Sequence, residues 1–232
     1  MKTIGLLGGM SWESTLEYYK ALNQGVREKL GGLHSAKIVL HSVDFGLIEA
    51  LMQKGQWDTI GNMLGDAVVG LEQAGADFFL ICTNTMHKLA PVIEERVGIP
   101  LLHIADAAAR TLLADKVGRV GLLGTSFTME QKFYKERLLS KHGIEVIVPN
   151  KKDRETVNTI IFSELCRGEV TSTAREEYLR IIASLEAQGA EAILLGCTEI
   201  GMLVRPEDVQ LSLYDTTPIH AATAVDMALA DD

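Results

Sequence analysis

Two cysteines stand at matching points of this chain. Cys82 ends the apolar run ADFFLIC and is followed by Thr83, Asn84 and Thr85; Cys197 ends AEAILLGC and is followed by Thr198 and Glu199. A free thiol has a pKa of about 8.5, so modest tuning makes either the thiol or the thiolate accessible near neutrality. Two such groups suit one reaction type, the movement of a proton from one face of a carbon to the other. One thiolate removes the proton, its partner thiol delivers another, and the roles exchange in reverse. At the Cα of an amino acid the C–H bond is a weak acid. The carbanion then needs hydrogen bonds to the α-carboxylate and a site closed to water. Asn84, Thr85 and Thr198, with adjacent backbone N–H groups, are the donors at hand. Glu199 has three readings: it orients Cys197, it excludes an acidic ligand, or it caps the helix that follows.

A single cysteine is more often an inert apolar residue; the matched pair is what points to chemistry. The matching extends beyond the cysteines. IGLLGGMSWESTLEYYKAL from Ile4 resembles VGLLGTSFTMEQKFYKERL from Val120, with Gly5 and Gly121, and Tyr18 and Tyr134, each 116 residues apart. LEQAGAD from Leu71 matches LEAQGAE from Leu185 at a separation of 114, and the cysteines are 115 apart. A looser match pairs HIADAA around Asp106 with LYDTTP around Asp215. An internal repeat in constant order, drifting by a residue or two, reads as two copies of one unit with a small insertion.

The elements that must position these groups follow from periodicity. TIGLL, KIVLHS, DFFLIC, PLLHI, RVGLLG, EVIVP, EAILLGC and LSLYD are short apolar runs of the kind buried on both faces of a parallel sheet. Between them lie helical stretches such as SWESTLEYYKALNQGVREKL, TIGNMLGDAVVGLEQA and TAREEYLRIIASLEAQ, and TTPIHAATAVDMALA closes the chain. The expectation is an α/β fold of two pseudo-symmetric lobes, residues 1–115 and 116–232, each with a roughly four-stranded, mainly parallel sheet. The closing helix would cross back to the first lobe. In such sheets ligands bind at the carboxyl ends of the strands, which places both cysteines facing an active site between the lobes. Helix N-termini following them, with Thr83 or Thr85 as a cap, would lower the thiol pKa and attract a carboxylate. The turns GLLGGMS and GLLGTSF would bring Met10, Ser11, Thr125 and Ser126 to the same cleft.

Composition narrows the rest. The formal net charge of −9 argues against nucleic acid as a partner. No stretch approaches a membrane span, and the apolar N-terminal run is too short for a signal sequence, so a cytoplasmic protein is expected. The three cysteines contain no CxxC pair and the six histidines no HxxxH, so neither a disulfide framework nor a metal site is expected. The glycine turns lack GxGxxG and GxxxxGK[ST], which leaves no nucleotide cofactor. Cys166, in IIFSELCRGEV, has no counterpart in the first half and reads as structural; His87, His103 and His220 are candidates for lining the site; REEYLR at 175–180 reads as a solvated helix face.

GLLGGMSWEST, CTNTMH and GCTEIG, in this order and spacing, resemble the aspartate/glutamate racemase family from end to end of the chain. The resemblance implies a cofactor-independent, PLP-independent amino-acid racemase, usually a homodimer, with Cys82 and Cys197 as acid and base. It also implies α-carboxylate binding by Asn84 and Thr85, with Thr125 and Thr198 nearby. Dedicated aspartate racemases of that family carry an arginine after the second strand and a lysine in the second half; Ile48 and Cys166 fall near those places here. LHSVDF and FSELCRG resemble a branch acting more broadly, on neutral amino acids such as homoserine. Two rivals remain open: a cis–trans isomerase or decarboxylase on the same scaffold, and a two-lobed amino-acid binding protein without catalysis.

Overall fold

The run TIGLL becomes the central strand of a three-stranded parallel sheet. The structure, a computed structural model, describes residues 1–230, and the chain divides into two compact units. One comprises Met1–Ile104 together with the residues from His220 onward; the other is Ala105–Ile219. The division falls about ten residues before the one expected at 115/116, because the helix Ile104–Ala114 belongs almost wholly with the second unit.

In the first unit the elements run β1 (Ile4–Gly8), α1 (Trp12–Leu30), β2 (Ile38–Ser42), α2 (Phe45–Gln53), α3 (Trp57–Gln73), β3 (Phe78–Ile81), a 3-10 turn (Thr85–Leu89) and α4 (Ala90–Glu94). The strand order is β2-β1-β3, all parallel. Segment PLLHI, expected as a fourth strand, makes only an isolated bridge between Phe79 and Leu101. Pro100 has no N–H to give a ladder, and the chain turns helical at Ile104. One face of β1 and β3 packs Ile4, Leu6, Phe78, Leu80 and Cys82 against Tyr18, Leu22 and Val26 of α1. Ala221, Ala224, Val225 and Ala228, from the closing helix, complete that core.

The second unit runs α5 (Ile104–Ala114), β4 (Arg119–Gly124), α6 (Ser126–Glu130), α7 (Lys132–His142), β5 (Glu145–Ile147), α8 (Lys151–Ser163), a 3-10 turn (Leu165–Arg167), α9 (Ser172–Ala187), β6 (Ala192–Gly196), α10 (Ile200–Leu203), a second 3-10 turn (Pro206–Asp208) and β7 (Ser212–Asp215). Helix α11 (Thr216–Leu229) starts here and continues into the first unit. The strand order is β5-β4-β6-β7, again all parallel. The fold is thus α/β, with parallel sheets of three and four strands flanked by helices. REEYLR is only partly solvated: Tyr178 is fully buried in the core and donates to the Val157 carbonyl at 3.3 Å. Arg180 reaches Asp153, which is buried on α8.

The registers locate the insertion that the repeat implied. Ile4 pairs with Phe78 and Leu7 with Ile81; in the second unit Val120 pairs with Ala192 and Leu123 with Leu195. These partners are equivalent, yet Cys82 directly follows Ile81 whereas Gly196 stands between Leu195 and Cys197. Successive residues of an extended chain point to opposite faces, so one extra residue turns a side chain over. Accordingly Cys82 packs with Phe78 and Leu80 on the α1 side, and Cys197 packs with Ile193 and Leu195 in the core that holds α8 and α9. The cysteines correspond in order along the chain but not in the sheet face they occupy.

Candidate active site

Cys82 is held at its backbone from two directions. Its N–H donates to the Leu7 carbonyl at 3.0 Å, and its own carbonyl accepts from Ser14 Oγ at 3.2 Å. Ser14 belongs to the first turn of α1, which Ser11 caps by accepting the Ser14 N–H at 3.2 Å. Thr15 Oγ1 accepts the Gly9 N–H at 2.8 Å and donates to the Ser11 carbonyl at 2.9 Å. The β1–α1 turn, with Met10 buried in it, is thereby fastened to the end of β3. Gly9 makes the turn possible: its φ is +91°, and a Cβ there would lie 2.2 Å from the Val43 carbonyl oxygen.

Behind Cys82 the turn Thr85–Leu89 is 3-10, neither Thr83 nor Thr85 forms the expected cap, and α4 has only five residues. Pro91 explains the break, since it cannot donate to the His87 carbonyl and its ring crowds that group. His87, buried, anchors the loop. Its Nδ1–H donates to the Thr83 carbonyl at 2.8 Å, and its Nε2 accepts the Ile104 N–H at 3.2 Å, which fixes the neutral tautomer. The His103 and His220 rings lie beside it, with centroids at 4.4 and 6.0 Å. His220 donates from Nε2 to the Leu102 carbonyl at 2.7 Å and accepts the Tyr18 hydroxyl at Nδ1, 2.8 Å away. Burial lowers its pKa to about 4, so this imidazole is neutral.

In the second unit Gly124 and Gly196 sit side by side in the ladder, and a Cβ on Gly124 would lie 2.8 Å from the Gly196 carbonyl oxygen. Thr125 caps α6 through its hydroxyl, which accepts the Thr128 N–H at 3.4 Å, and the next N–H, of Ser126, donates to Asn158 Oδ1 at 2.9 Å. Cys197 donates from Sγ to Glu199 Oε2 at 3.1 Å, and Thr198 Oγ1 donates to the same oxygen at 2.6 Å. Asp215, at the end of β7, accepts the Thr217 N–H at 2.9 Å; burial and the charge of Glu199 raise its pKa to about 6.

Both thiols are pushed upward rather than lowered as the helix N-termini suggested. Burial alone raises Cys82; burial, then the charge and hydrogen bond of Glu199, raises Cys197. The helices after them, five and four residues long, are too short to offset full burial. Each thiol therefore rests in its proton-donating form.

The residues expected at the site fall into two groups. Met10, Ser11, Cys82, Asn84 and Thr85 gather at one end of the first sheet, and Thr125, Cys197, Thr198 and Glu199 at one end of the second. Ser14, Thr15 and Tyr178 were missed; the first two had a signal in the sequence, as hydroxyls one turn after the glycine loop. His87 was a candidate for lining the site, and Asp215 only the loose repeat partner of Asp106. Asp106 diverges from its loose partner Asp215: it lies within α5, forked by Arg137 at 2.7 and 2.8 Å and bonded to Lys141 and His142. Among the described residues no group of three or more metal-ligating side chains is placed to hold an ion, and no helix is long and apolar enough to cross a membrane.

The chain belongs to a family of racemases: residues 7–224 match the Asp/Glu/Hydantoin racemase family. Family membership makes it an isomerase. The crystal structure of a candidate Asp/Glu racemase from Yersinia pestis is similar over 99% of this chain and 100% of that one, at 54% identity and a TM-score of 0.94. That of an aspartate racemase homologue from Pyrococcus horikoshii is similar at 34% identity and a TM-score of 0.85, over 99% and 100% of the two chains. The broad specificity amino-acid racemase RacX of Bacillus subtilis is 24% identical over 175 residues, 75% of this chain and 74% of RacX.

Proposed function

We propose that the protein is a cofactor-independent amino-acid racemase in which Cys82 and Cys197 are the two acid/base groups. The observation that carries this reading is the repeated strand end: two all-parallel sheets, β2-β1-β3 and β5-β4-β6-β7, each place a buried cysteine just beyond the strand that pairs with the unit's first strand, Cys82 after β3 beside β1 and Cys197 after β6 beside β4. Racemisation needs a proton taken from one face of Cα and another given to the opposite face, so a pair of thiols supplies what one cannot. Asn84 and Thr85 hold the α-carboxylate through their amide and hydroxyl groups, with Thr125 and Thr198 nearby and the Thr198 hydroxyl given to Glu199, and Met10 and Ser11 border the ligand. We infer a broad substrate set that includes neutral amino acids such as homoserine beside aspartate and glutamate. Its support is the likeness to a broad-specificity racemase, Ile48 buried where an arginine is expected, and the Glu199 carboxylate beside Cys197.

We further infer a homodimer working in the cytoplasm. None of the three cysteines is in a disulfide, which suits a reducing compartment. Trp12, Leu16 and Tyr19 form an exposed apolar stripe on α1, with Glu13 and Glu17 toward its start and Lys20 and Arg27 toward its end. An antiparallel α1 from a second copy would set acid against base while covering the stripe.

The test is incubation of single enantiomers of aspartate, glutamate and homoserine in D2O, following deuterium at Cα and optical inversion together. Inversion with incorporation is expected, lost in Cys82→Ser and in Cys197→Ser. An absence of exchange with every amino acid would overturn the racemase reading, and full activity in either serine variant would overturn the two-thiol mechanism.

A further inference from the structure

The third position of the two cysteine motifs differs in kind: Asn84 follows Cys82, and Glu199 follows Cys197. An amide cannot take a proton from a thiol, whereas a carboxylate can. Glu199 is buried, and one of its oxygens, Oε2, receives both the Cys197 S–H at 3.1 Å and the Thr198 O–H at 2.6 Å. We propose that Glu199 is the resident proton acceptor of Cys197, converting it to the thiolate that attacks the Cα–H bond. This rests on the racemase reading above.

The step balances within the pair. The S–H bond of Cys197 breaks with its electrons left on sulfur, an O–H bond forms at Oε2, and the net charge of −1 moves from carboxylate to sulfur. The thiolate then takes the Cα proton, leaving its electron pair on carbon, and carbon takes a proton from the Cys82 thiol. Cys197 ends as thiol, Glu199 as carboxylic acid and Cys82 as thiolate. Return of one proton from Glu199 to Cys82 through solvent restores the starting form. No step creates a second charge at Cys197, which matters because burial already opposes a new anion there. The other titratable groups around Cys197 are Cys166 on the 3-10 turn and Tyr178 on α9, with Asp215 of β7 acting on Glu199 and Glu164 on Tyr178. All of these are acidic in type, so each further negative charge among them would resist the thiolate and the relocation of an existing charge is the accessible route.

Glu199 acts through Cys197, and the distinguishing variant is Glu199→Gln, which keeps an oxygen for the S–H bond but accepts no proton. With the full-length enzyme, kcat in Glu199→Gln should fall about 100-fold or more at neutral pH with KM changed far less. It should then rise about tenfold per pH unit as hydroxide takes over deprotonation; Glu199→Asp should recover part of the rate and the wild-type profile. Independently of activity, ultraviolet thiolate absorbance in a Cys82→Ser/Cys166→Ser background should show Cys197 titrating at lower pH once Glu199 is Gln, because the neighbouring negative charge is gone. If that double variant does not fold, the same titration is compared between wild type and Glu199→Gln. Wild-type rate and pH profile in Glu199→Gln, with an unmoved titration, would overturn the proposal while leaving the racemase standing. A wild type that inverts no amino acid would overturn the racemase reading and this proposal with it.

Discussion

His87 spans the loop behind Cys82: 2.8 Å from its Nδ1 to the Thr83 carbonyl on one side, and 3.2 Å from its Nε2 to the Ile104 N–H on the other. Both partners are backbone groups, so the imidazole does what a strand neighbour would do for an irregular segment. His87→Ala strands a buried acceptor and a buried donor. The expected cost is about 2–3 kcal/mol of stability by urea unfolding. A loss of about tenfold or more in kcat/KM accompanies it, through misplacement of Asn84 and Thr85. Wild-type stability in His87→Ala would show that water replaces both bonds.

Two enclosed groups, His220 fully buried and Asp215 partly so, give pH dependences of opposite sign. His220 is neutral in the fold with a pKa of about 4, while an unfolded histidine titrates near 6.5. Between these values the unfolded state binds the extra proton, so the stability from His220 is full above about 6.5 and is lost as pH falls toward 4, by about 3 kcal/mol. Asp215 is raised to about 6, and below that pH the folded state holds the proton instead. Its penalty of similar size is present at neutral pH and disappears as pH falls from about 6 to 4. Unfolding followed between pH 4 and 7 should therefore show a nearly flat wild type, a curve falling toward acid in Asp215→Asn, and one rising toward acid in His220→Asn.

Gly9→Ala tests the turn that carries Met10 and Ser11. The added Cβ meets the Val43 carbonyl at 2.2 Å on a backbone with φ of +91°, and neither can yield without moving β1 from β2. The expected loss exceeds about 2 kcal/mol and shows as a lowered Tm or as insoluble protein. Gly31→Ala, also at positive φ but with open space around it, should cost less than half as much.

The α1 stripe predicts its own disruption. Leu16→Lys or Tyr19→Lys places charge in an apolar contact while leaving the buried face of Tyr18, Leu22 and Val26 untouched. Sedimentation should show the wild type at twice the mass of its chain and the variants shifted to the monomer, with unchanged Tm extrapolated to low concentration. A monomeric wild type would remove the homodimer.

Much of the fold was legible because burial writes itself into composition. Seven of the eight expected apolar runs are strands, and the long amphipathic stretches are α1, α3, α9 and α11. The eighth, PLLHI, carries the same apolar signature but is only partly enclosed, with Pro100 exposed and Leu101 and Leu102 half-buried; its missing N–H and early helix leave it a single bridge to Phe79. The cysteines and their threonines were legible from the repeat. The contacts of His87 and Asp215 were not, since neither periodicity nor spacing says which carbonyl a buried imidazole will meet or which carboxylate will lie near another. Nor could the helix after Cys82 be judged from its cap residues, when Pro91, farther along, keeps the 3-10 turn from running on as one α-helix. The thiols' raised pKa values come from enclosure by distant segments, which no local motif records.

Gly196 bears on how such a molecule can be rebuilt. Two exact copies of one half would present their thiols with the same handedness relative to their own sheets. Here one residue makes the difference: Cys82 leans toward the helix following β1, and Cys197 toward the helices that precede its own strand. Transplanting either half into the place of the other would thus deliver a cysteine on the wrong side, however well the grafted backbone superimposed. A hybrid carrying either half in the other's place would need that one residue added or removed to present its thiol on the matching face.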